Sequence, residues 1–378
     1  MATILLVGPS RDVLGGVTTH LDVLYASALS RENHYLHFQV GKPGTGESAF
    51  SKLKRAIGVP FAFARALRRS RAALVHLNPS MDRSFWRDLP LLMIARAMGV
   101  PAVLQIHGGE LPERFCAQVP GAGRVVRAAL RAADQVVVLA RVEFAAFGRV
   151  LDAGRLNLIP NAIDVTPYSA PKPQSYDGSR PLRAVYLGRV VRSKGLFEAC
   201  SAVHRALAAG ARVEYLIAGA GPDSDALAQH IEELGLSGAV RMVGPLYGKA
   251  KTNFLLEADV FLFPTRHPEG LPYALLETMA AATPAITTAV GAIGDVVDNG
   301  SNGLLVADGD VEAAAAALTA LAAAPERLQS MAAAARQRVF TAYSTARLER
   351  DFSALYARTL KPYGSATPTR GPTGAKTS

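Results

Sequence analysis

Cysteine is scarce in this chain, and no apolar run is long enough to cross a membrane. Only Cys116 and Cys200 occur among 378 residues, and neither has a neighbour at the spacing of a zinc ligand set. A disulfide scaffold and a zinc site are therefore not predicted, and a reducing compartment fits. No window approaches the roughly 20 apolar residues of a transmembrane helix, and residues 1–7 lack the pattern of a signal peptide. We expect a cytoplasmic protein.

Acidic residues are missing from positions 48–81, in a chain whose formal net charge is +10. The cations of this segment are Lys52, Lys54, Arg55, Arg65, Arg68, Arg69 and Arg71. Arg65, Arg68 and Arg69 have helical spacing, with Phe63 and Leu67 on another face. Such a helix fits an anionic membrane surface, here the inner face of the cytoplasmic membrane, although a solvated helix face explains the spacing equally well.

A second basic helix face carries Arg124, Arg127 and Arg131. Nucleic acid is not expected as a partner, because the basic residues do not interleave with aromatic ones on an evident platform.

Short apolar runs alternate with helical patterns along the chain, which predicts α/β architecture with parallel sheets. Predicted strands cover residues 3–8, 73–78, 101–107, 135–140 and 156–160, then 183–187, 212–218, 240–243, 260–264, 285–288 and 303–306. A proline-rich stretch, residues 164–181, interrupts the rhythm and is typical of a linker. We therefore predict two doubly wound domains, residues 1–170 and 182–342, separated by a cleft. Residues 361–378 are rich in Thr, Pro, Gly and Ser and are predicted to be disordered.

Two motifs of the first half follow predicted strands. Gly15 and Gly16 precede a helix predicted to start near Thr18, where glycines allow a ligand to approach the backbone and free amides attract an anion. The spacing is not G-x-G-x-x-G, which argues against a dehydrogenase. His107 follows an apolar strand and is expected to point into the cleft, where it could contact a sugar hydroxyl; the alternative is a histidine that only caps its strand.

Two motifs of the second half carry charge. Arg189 and Lys194 lie on one strand-to-helix loop and could stabilise a diphosphate leaving group. Glu269 and Glu277 are eight positions apart around a helix predicted from Leu271 onward, so that Gly270 and Leu271 would offer amides to an anion. Macrodipole compensation explains Glu269, but Glu277 lies in an apolar run and needs a partner.

In these motifs the chain resembles family 4 of the retaining glycosyltransferases, which have the GT-B fold of two facing Rossmann-like domains. The resemblance rests on the Gly15-Gly16 loop, the His107-Gly108 pair, residues 160–164, the Arg189 to Lys194 loop, residues 219–222, the E-x7-E element at Glu269 and Glu277, and residues 302–306, all in the family's order. It departs at Ala162, where glycine is usual, and at Asp295, where glutamate is common.

The resemblance implies a role for each motif. Gly16 would contact the diphosphate, His107 and Glu269 the donor sugar, and Glu277 the ribose. Arg189 and Lys194 would stabilise the departing nucleoside diphosphate. The first domain would bind the acceptor, Asn161 would be structural, and a helix over residues 343–360 would cross back to the first domain.

The implied activity is transfer of a hexose-type sugar from a UDP- or GDP-linked donor, with retention. The acceptor would be a glycan or a polyprenyl-diphosphate-linked sugar, as in bacterial surface-polysaccharide or glycolipid synthesis. No metal and no cofactor are expected, because Asp223-Ser224-Asp225 looks like a metal motif but is positioned as a helix cap. A nucleotide-sugar epimerase and a non-catalytic nucleotide-sugar-binding protein are the alternatives.

Overall fold

The computed structural model describes residues 1–12, 15–41, 49–108, 111, 115, 122–267 and 270–360, and only the backbone of residues 49–56 and Ala122. Glu269, Cys116 and the predicted disordered tail, 361–378, therefore lie outside the described residues, as do the side chains of Lys52, Lys54 and Arg55. No helix in these ranges is long and apolar enough to span a bilayer.

The first sheet has the order β2-β1-β3-β4-β5-β6. All of its strand pairs are parallel. Its strands are β1 Ala2–Gly8, β2 Asn33–Gln39, β3 Leu74–Leu77, β4 Ala102–Gln105, β5 Gln135–Val138 and β6 Leu156–Leu158. Its helices are α1 Gly16–Ala26, α2 Leu29–Glu32, α3 Ala49–Ser70, α4 Arg83–Ala97, α5 Ala122–Ala132 and α6 Arg141–Phe147.

The second sheet has the order β12-β11-β10-β7-β8-β9 and is also parallel. Its strands are β7 Leu182–Leu187, β8 Val213–Ala218, β9 Val240–Gly244, β10 Val260–Phe263, β11 Ala285–Thr288 and β12 Gly303–Val306. The helices after residue 182 are α7 Leu196–Ala208, α8 Ser224–Glu233, α9 Gly248–Leu256, α10 Tyr273–Ala280, α11 Ile293–Val296, α12 Val311–Ala322, α13 Pro325–Ala342 and α14 Thr345–Leu360.

The predicted parallel α/β architecture is confirmed, but strand β2 was missed. Its sequence, N-H-Y-L-H-F-Q, has no apolar run, because β2 is an edge strand in which only Tyr35 is buried. Cys200 is a buried free thiol whose pKa burial raises to about 12, so it behaves as a small apolar side chain.

The last helix packs on the first sheet rather than on the second. Phe352 and Tyr356 of α14 are buried together with Ile4 and Leu6 of β1. The crossing point is held by Arg347, whose guanidinium donates to the carbonyl of Pro160 at 2.7 Å. The boundaries at residues 170 and 182 remain predictions.

Replacing Phe352 with alanine should destabilise the first domain. The centroid of its ring lies 5.4 to 5.9 Å from the ring centroids of His20, His76 and Tyr356. Loss of the ring leaves a cavity, which should lower the free energy of unfolding by about 3–5 kcal/mol. Trp86, the one tryptophan of the chain, lies in the same domain and reports its unfolding by urea through fluorescence. Phe61→Ala, at a side chain 73% exposed, is the matched control. Equal midpoints for the two variants would contradict the packing role.

Candidate functional site

The carboxyl ends of the two sheets meet where Gly270 contacts the backbone of the His107-Gly108 turn. A β-carbon on Gly270 would lie 3.3 Å from the Gly108 nitrogen and from the His107 oxygen, closer than most real contacts of this kind. The motif before α10 and the motif after β4, which are far apart in sequence, are therefore direct neighbours.

Buried Asn161 helps to hold this contact. Its amide nitrogen donates to the carbonyl of Leu271 at 2.9 Å, and the neighbouring carbonyl of Gly270 accepts from the Ala292 N–H at 3.2 Å. Residues 270 and 271 are thus anchored through their carbonyls. Their N–H groups make no hydrogen bond to another described residue.

The helix that carries Glu277 starts later than predicted. Helix α10 begins at Tyr273 and is preceded by Pro272, which has no N–H, so Gly270 and Leu271 come before the helix and are not its first turn. The prediction of a helix from Leu271 was wrong, and Glu277 lies about one turn inside α10 instead of two.

Glu277 has the partner that its apolar surroundings require. Its carboxylate is 16% exposed and pairs with the ammonium of Lys251 on α9 at 2.6 Å. Beside it, the hydroxyl of Tyr273 is buried without a hydrogen-bond partner among the described residues. Burial, followed by the charge of Glu277, raises the pKa of Tyr273. The carboxylate can accept hydrogen bonds and the phenol can donate one.

The loop after β7 is fixed against the loop after β10. The carbonyl of Ser193 accepts from the Arg266 N–H at 3.0 Å. A β-carbon on Gly195, whose φ is +78°, would lie 2.0 Å from the carbonyl oxygen of Pro264, so this approach requires glycine. The contact brings the Lys194 ammonium 5.6 Å from the ring centroid of Phe263.

The two cations of the β7 loop differ in burial. Lys194 is half-buried and Arg189 is exposed, while the carbonyl of Arg189 accepts from the Tyr186 hydroxyl at 2.8 Å. Both follow the same strand, at the edge of the sheet where ligands of open α/β folds bind.

Gly15 and Gly16 lie where nothing in the described fold demands glycine. A β-carbon at either position would meet no atom within 4 Å. Helix α1 begins at Gly16, slightly earlier than predicted, and Gly15 is its N-cap. Packing against described residues therefore does not explain the two glycines. The open space beside a helix N-terminus suits an anionic ligand.

His107 lies just beyond the carboxyl end of β4, next to the neutral polar side chains of Asn78 and His20. Its Nε2 is 3.1 Å from the Asn78 oxygen, and its ring centroid is 4.8 Å from that of His20. Burial, followed by the nearby His76, lowers the pKa of His107 to about 3, so the ring is uncharged at neutral pH.

Two residues near the cleft carried no sequence signal. Asn78 contacts His107, as described above. Glu143, on α6, accepts from the N–H groups of Leu139 and Ala140 at 2.8 and 3.1 Å. The next N–H, that of Arg141, donates to the carboxylate of Asp295 on α11 at 2.5 Å, which links the two halves of the chain. Neither residue is part of a recognisable sequence motif. The partner of Asn78 is remote in sequence, and the partners of Glu143 are backbone groups.

The Asp223-Ser224-Asp225 segment begins α8 and binds backbone amides. Asp223 accepts from the Arg192 N–H at 2.7 Å, and the Ser224 hydroxyl accepts from the Gly221 N–H at 3.0 Å. Among the described residues no cluster of three or more His, Cys, Asp or Glu side chains is arranged to hold a metal.

Glu143→Gln should reduce the pH dependence of stability. Burial raises the pKa of Glu143 from 4.5 to about 7, so the folded state holds a proton that the unfolded state releases between these values. The contribution to stability therefore falls as pH rises from about 4.5 to 7, by up to about 3 kcal/mol. Glutamine keeps the accepting oxygen, and the melting temperature of Glu143→Gln relative to wild type should increase between pH 5 and 8. The exposed Glu232→Gln is the control. A constant difference across this range would show that Glu143 is already ionised.

Comparison with known proteins finds similar sequences and structures among glycosyltransferases. The profile of the glycosyl transferases group 1 family matches residues 173–338. Glycogen synthase of Mycobacterium tuberculosis is 30% identical over 259 residues, which cover 66% of this chain and 61% of that protein. A putative colanic acid biosynthesis glycosyltransferase, WcaL of Salmonella typhimurium, is 31% identical over 181 residues, 46% of this chain and 45% of that protein. The matches thus span less than two thirds of these relatives.

The fold is similar over a greater length. The structure of Anabaena HepE in complex with UDP-glucose superposes with a TM-score of 0.73 at 14% identity, covering 95% of this chain and 100% of that one. Residues 173–338 therefore match the glycosyl transferases group 1 family, and the GT-B fold extends over both sheets.

Proposed function

We propose that this protein is a retaining glycosyltransferase that moves a hexose-type sugar from a UDP- or GDP-linked donor to a glycan or lipid-linked acceptor. The observation that carries the proposal is the contact of Gly270 with the His107-Gly108 turn, which brings His107 next to the backbone of residues 270 and 271. The relatives named as a glycogen synthase and a polysaccharide glycosyltransferase, and the UDP-glucose bound to HepE, support the same reaction class.

The second domain, residues 182–342, would hold the nucleotide diphosphate. Arg189 and Lys194 would neutralise the charge that develops on the leaving phosphate. The Gly270 and Leu271 amides would bind the same group, with Gly15 and Gly16 approaching from the first domain. Glu277, oriented by Lys251, would accept from the ribose hydroxyls. Glu269 would contact the sugar, as the family resemblance implies.

Same-face displacement fits the described cleft better than a double displacement does. A double displacement needs a carboxylate against the anomeric carbon. The described side chains that contact His107, namely Asn78 and His20, are neutral. The leaving phosphate itself would accept the proton from the incoming hydroxyl, and the acceptor would bind to the first domain, residues 1–170.

Lys194→Ala should lower turnover roughly 10²–10³-fold, the usual effect of removing one group that stabilises transition-state charge. The donor is first identified by screening UDP- and GDP-sugars for thermal stabilisation of the wild type. NMR of the product then tests retention, and an assay in chelator tests independence from metal.

Arg205→Ala is the matched control, since Arg205 is an exposed cation of α7. Near wild-type turnover of Lys194→Ala would contradict the leaving-group role. Free epimer formed from donor alone would identify an epimerase instead.

We further propose that three neighbouring helices bind an anionic membrane surface. Helix α3 packs on α4, and α4 on α5, on one side of the first sheet. Their sequences contain one carboxylate, Asp88, which is buried and bound by Arg87 at 2.6 Å. The described residues within these three helices therefore expose no carboxylate.

Apolar and basic side chains alternate on this surface. Exposed apolar residues are Ile57 at 58%, Phe61 at 73%, Met93 at 48% and Val125 at 48%. Exposed arginines are Arg65, Arg68, Arg69, Arg124, Arg127 and Arg131. Phe63 and Leu67 are buried in the core, so the division of faces predicted for this helix is confirmed at these positions. Basic groups attract anionic headgroups and the apolar side chains can enter the interface.

Replacing Arg65, Arg68 and Arg69 by glutamine in one variant should weaken binding to phosphatidylglycerol vesicles roughly 100-fold, because each cation contributes about 1 kcal/mol to the binding free energy. Co-sedimentation measures this, and Phe61→Ser should weaken binding further. Arg327→Gln, at an exposed site on α13, is the control. Wild-type binding that is equal on phosphatidylcholine, or insensitive to salt, would contradict the proposal.

A further inference from the structure

The hydrogen bonds of buried Asn78 determine which way its amide points. Its nitrogen donates to the carbonyl of Val7 at 3.1 Å and to the carbonyl of His76 at 3.2 Å. Both partners can only accept, so the nitrogen and oxygen of this amide cannot be exchanged without losing two hydrogen bonds.

The remaining group of Asn78, its oxygen, lies 3.1 Å from Nε2 of His107. An amide oxygen can only accept, and Nε2 must therefore carry a hydrogen. The ring is also surrounded by groups that disfavour positive charge, since it is close to His20 and His76, and burial lowers its pKa to about 3. A neutral imidazole has a single N–H, so Nδ1 of His107 carries a lone pair.

Nothing among the described residues donates to Nδ1 of His107. The side chain is half-buried and lies just after β4, beside the Gly108 backbone on which Gly270 packs. This lone pair can accept a hydrogen bond from a ligand, and a hydroxyl is the donor that a sugar provides.

We propose that Asn78 is a positioning residue that holds His107 as the Nε2–H tautomer, so that Nδ1 accepts a hydrogen bond from one hydroxyl of the donor sugar. The second half of this inference rests on the proposed glycosyl transfer, whereas the first half concerns the free protein. It makes His107 an acceptor that requires an O–H at one sugar position.

The tautomer is measured in the ligand-free wild type by ¹⁵N NMR of histidine-labelled protein, with the His107 signals assigned by their loss in His107→Ala. We expect a protonated Nε2 and an unprotonated Nδ1 at neutral pH. A protonated Nδ1 would overturn the proposal whether or not any substrate is known.

The role of Asn78 is tested with Asn78→Asp, whose folding is checked by its melting temperature. A carboxylate beside Nε2–H raises the pKa of His107, and a cationic ring has no lone pair to accept with. Turnover of the variant should fall at low pH and recover as pH rises, while the wild type shows no such limb from His107. A folded variant with the wild-type pH profile would overturn the positioning role.

The acceptor role is tested with donors in which one hydroxyl at a time is replaced by fluorine, which cannot donate. Fluorine at one position should lower the affinity of the wild type for the donor roughly tenfold, the usual effect of one hydrogen bond. The same fluorinated donor should bind His107→Ala as well as the unmodified donor does. Equal penalties in both proteins would overturn the acceptor role. If no nucleotide sugar bound at all, the proposed function would fail while the NMR result still decided the tautomer.

Discussion

The close approach of two backbones, at Gly270 and at the His107-Gly108 turn, is the constraint on which the rest of the cleft depends. A side chain at position 270 would contact the turn more tightly than most β-carbons contact their neighbours, so glycine allows this close approach without a shift of either backbone. The bond from Asn161 to the Leu271 carbonyl and the crossing of α14 at Pro160 lie on the same side of the molecule. Together they keep the carboxyl edges of both sheets facing a common space, where helix termini and loop amides can act on one ligand.

Strong periodicity made most of the fold predictable from sequence. Apolar runs such as Ile4–Val7 correspond to buried strands because parallel strands are covered on both sides. Strand β2 was missed because an edge strand needs few apolar residues. The start of α10 was misplaced because Pro272 was predicted to be helical, although it precedes the first turn. Of the site, residues on glycine-rich loops after strands were predictable, as the loops have local signatures. Lys251, Asn78 and Glu143 were not, because each acts through a partner that only the fold brings near.

Positive charge in this chain is divided between two surfaces with different demands. Around the second sheet, cations are fixed by neighbours: Lys194 lies near the Phe263 ring and Lys251 is bound to Glu277. On α3 and α5 the exposed arginines have no carboxylate on their own helices to bind. A fixed cation stabilises one charge distribution strongly, whereas exposed arginines act collectively and are screened by salt. Under the two proposals, the net charge of the chain would combine a role within the site with a role of the whole α3–α5 surface.

The first-domain side of the cleft must stay uncharged for its own packing to hold. The ring centroid of His20 is 6.5 Å from that of His76 and 4.8 Å from that of His107. Burial lowers the pKa of all three histidines. A proton added to one ring would be unpaired in a buried cluster that α14 covers with Phe352 and Tyr356. The consequence for the ligand is a division of labour by charge: the anionic diphosphate is expected against the cationic second domain, and the neutral sugar against the neutral side chains beside His107. Under the proposed function, desolvation by itself would favour this orientation of the donor, in addition to any single hydrogen bond.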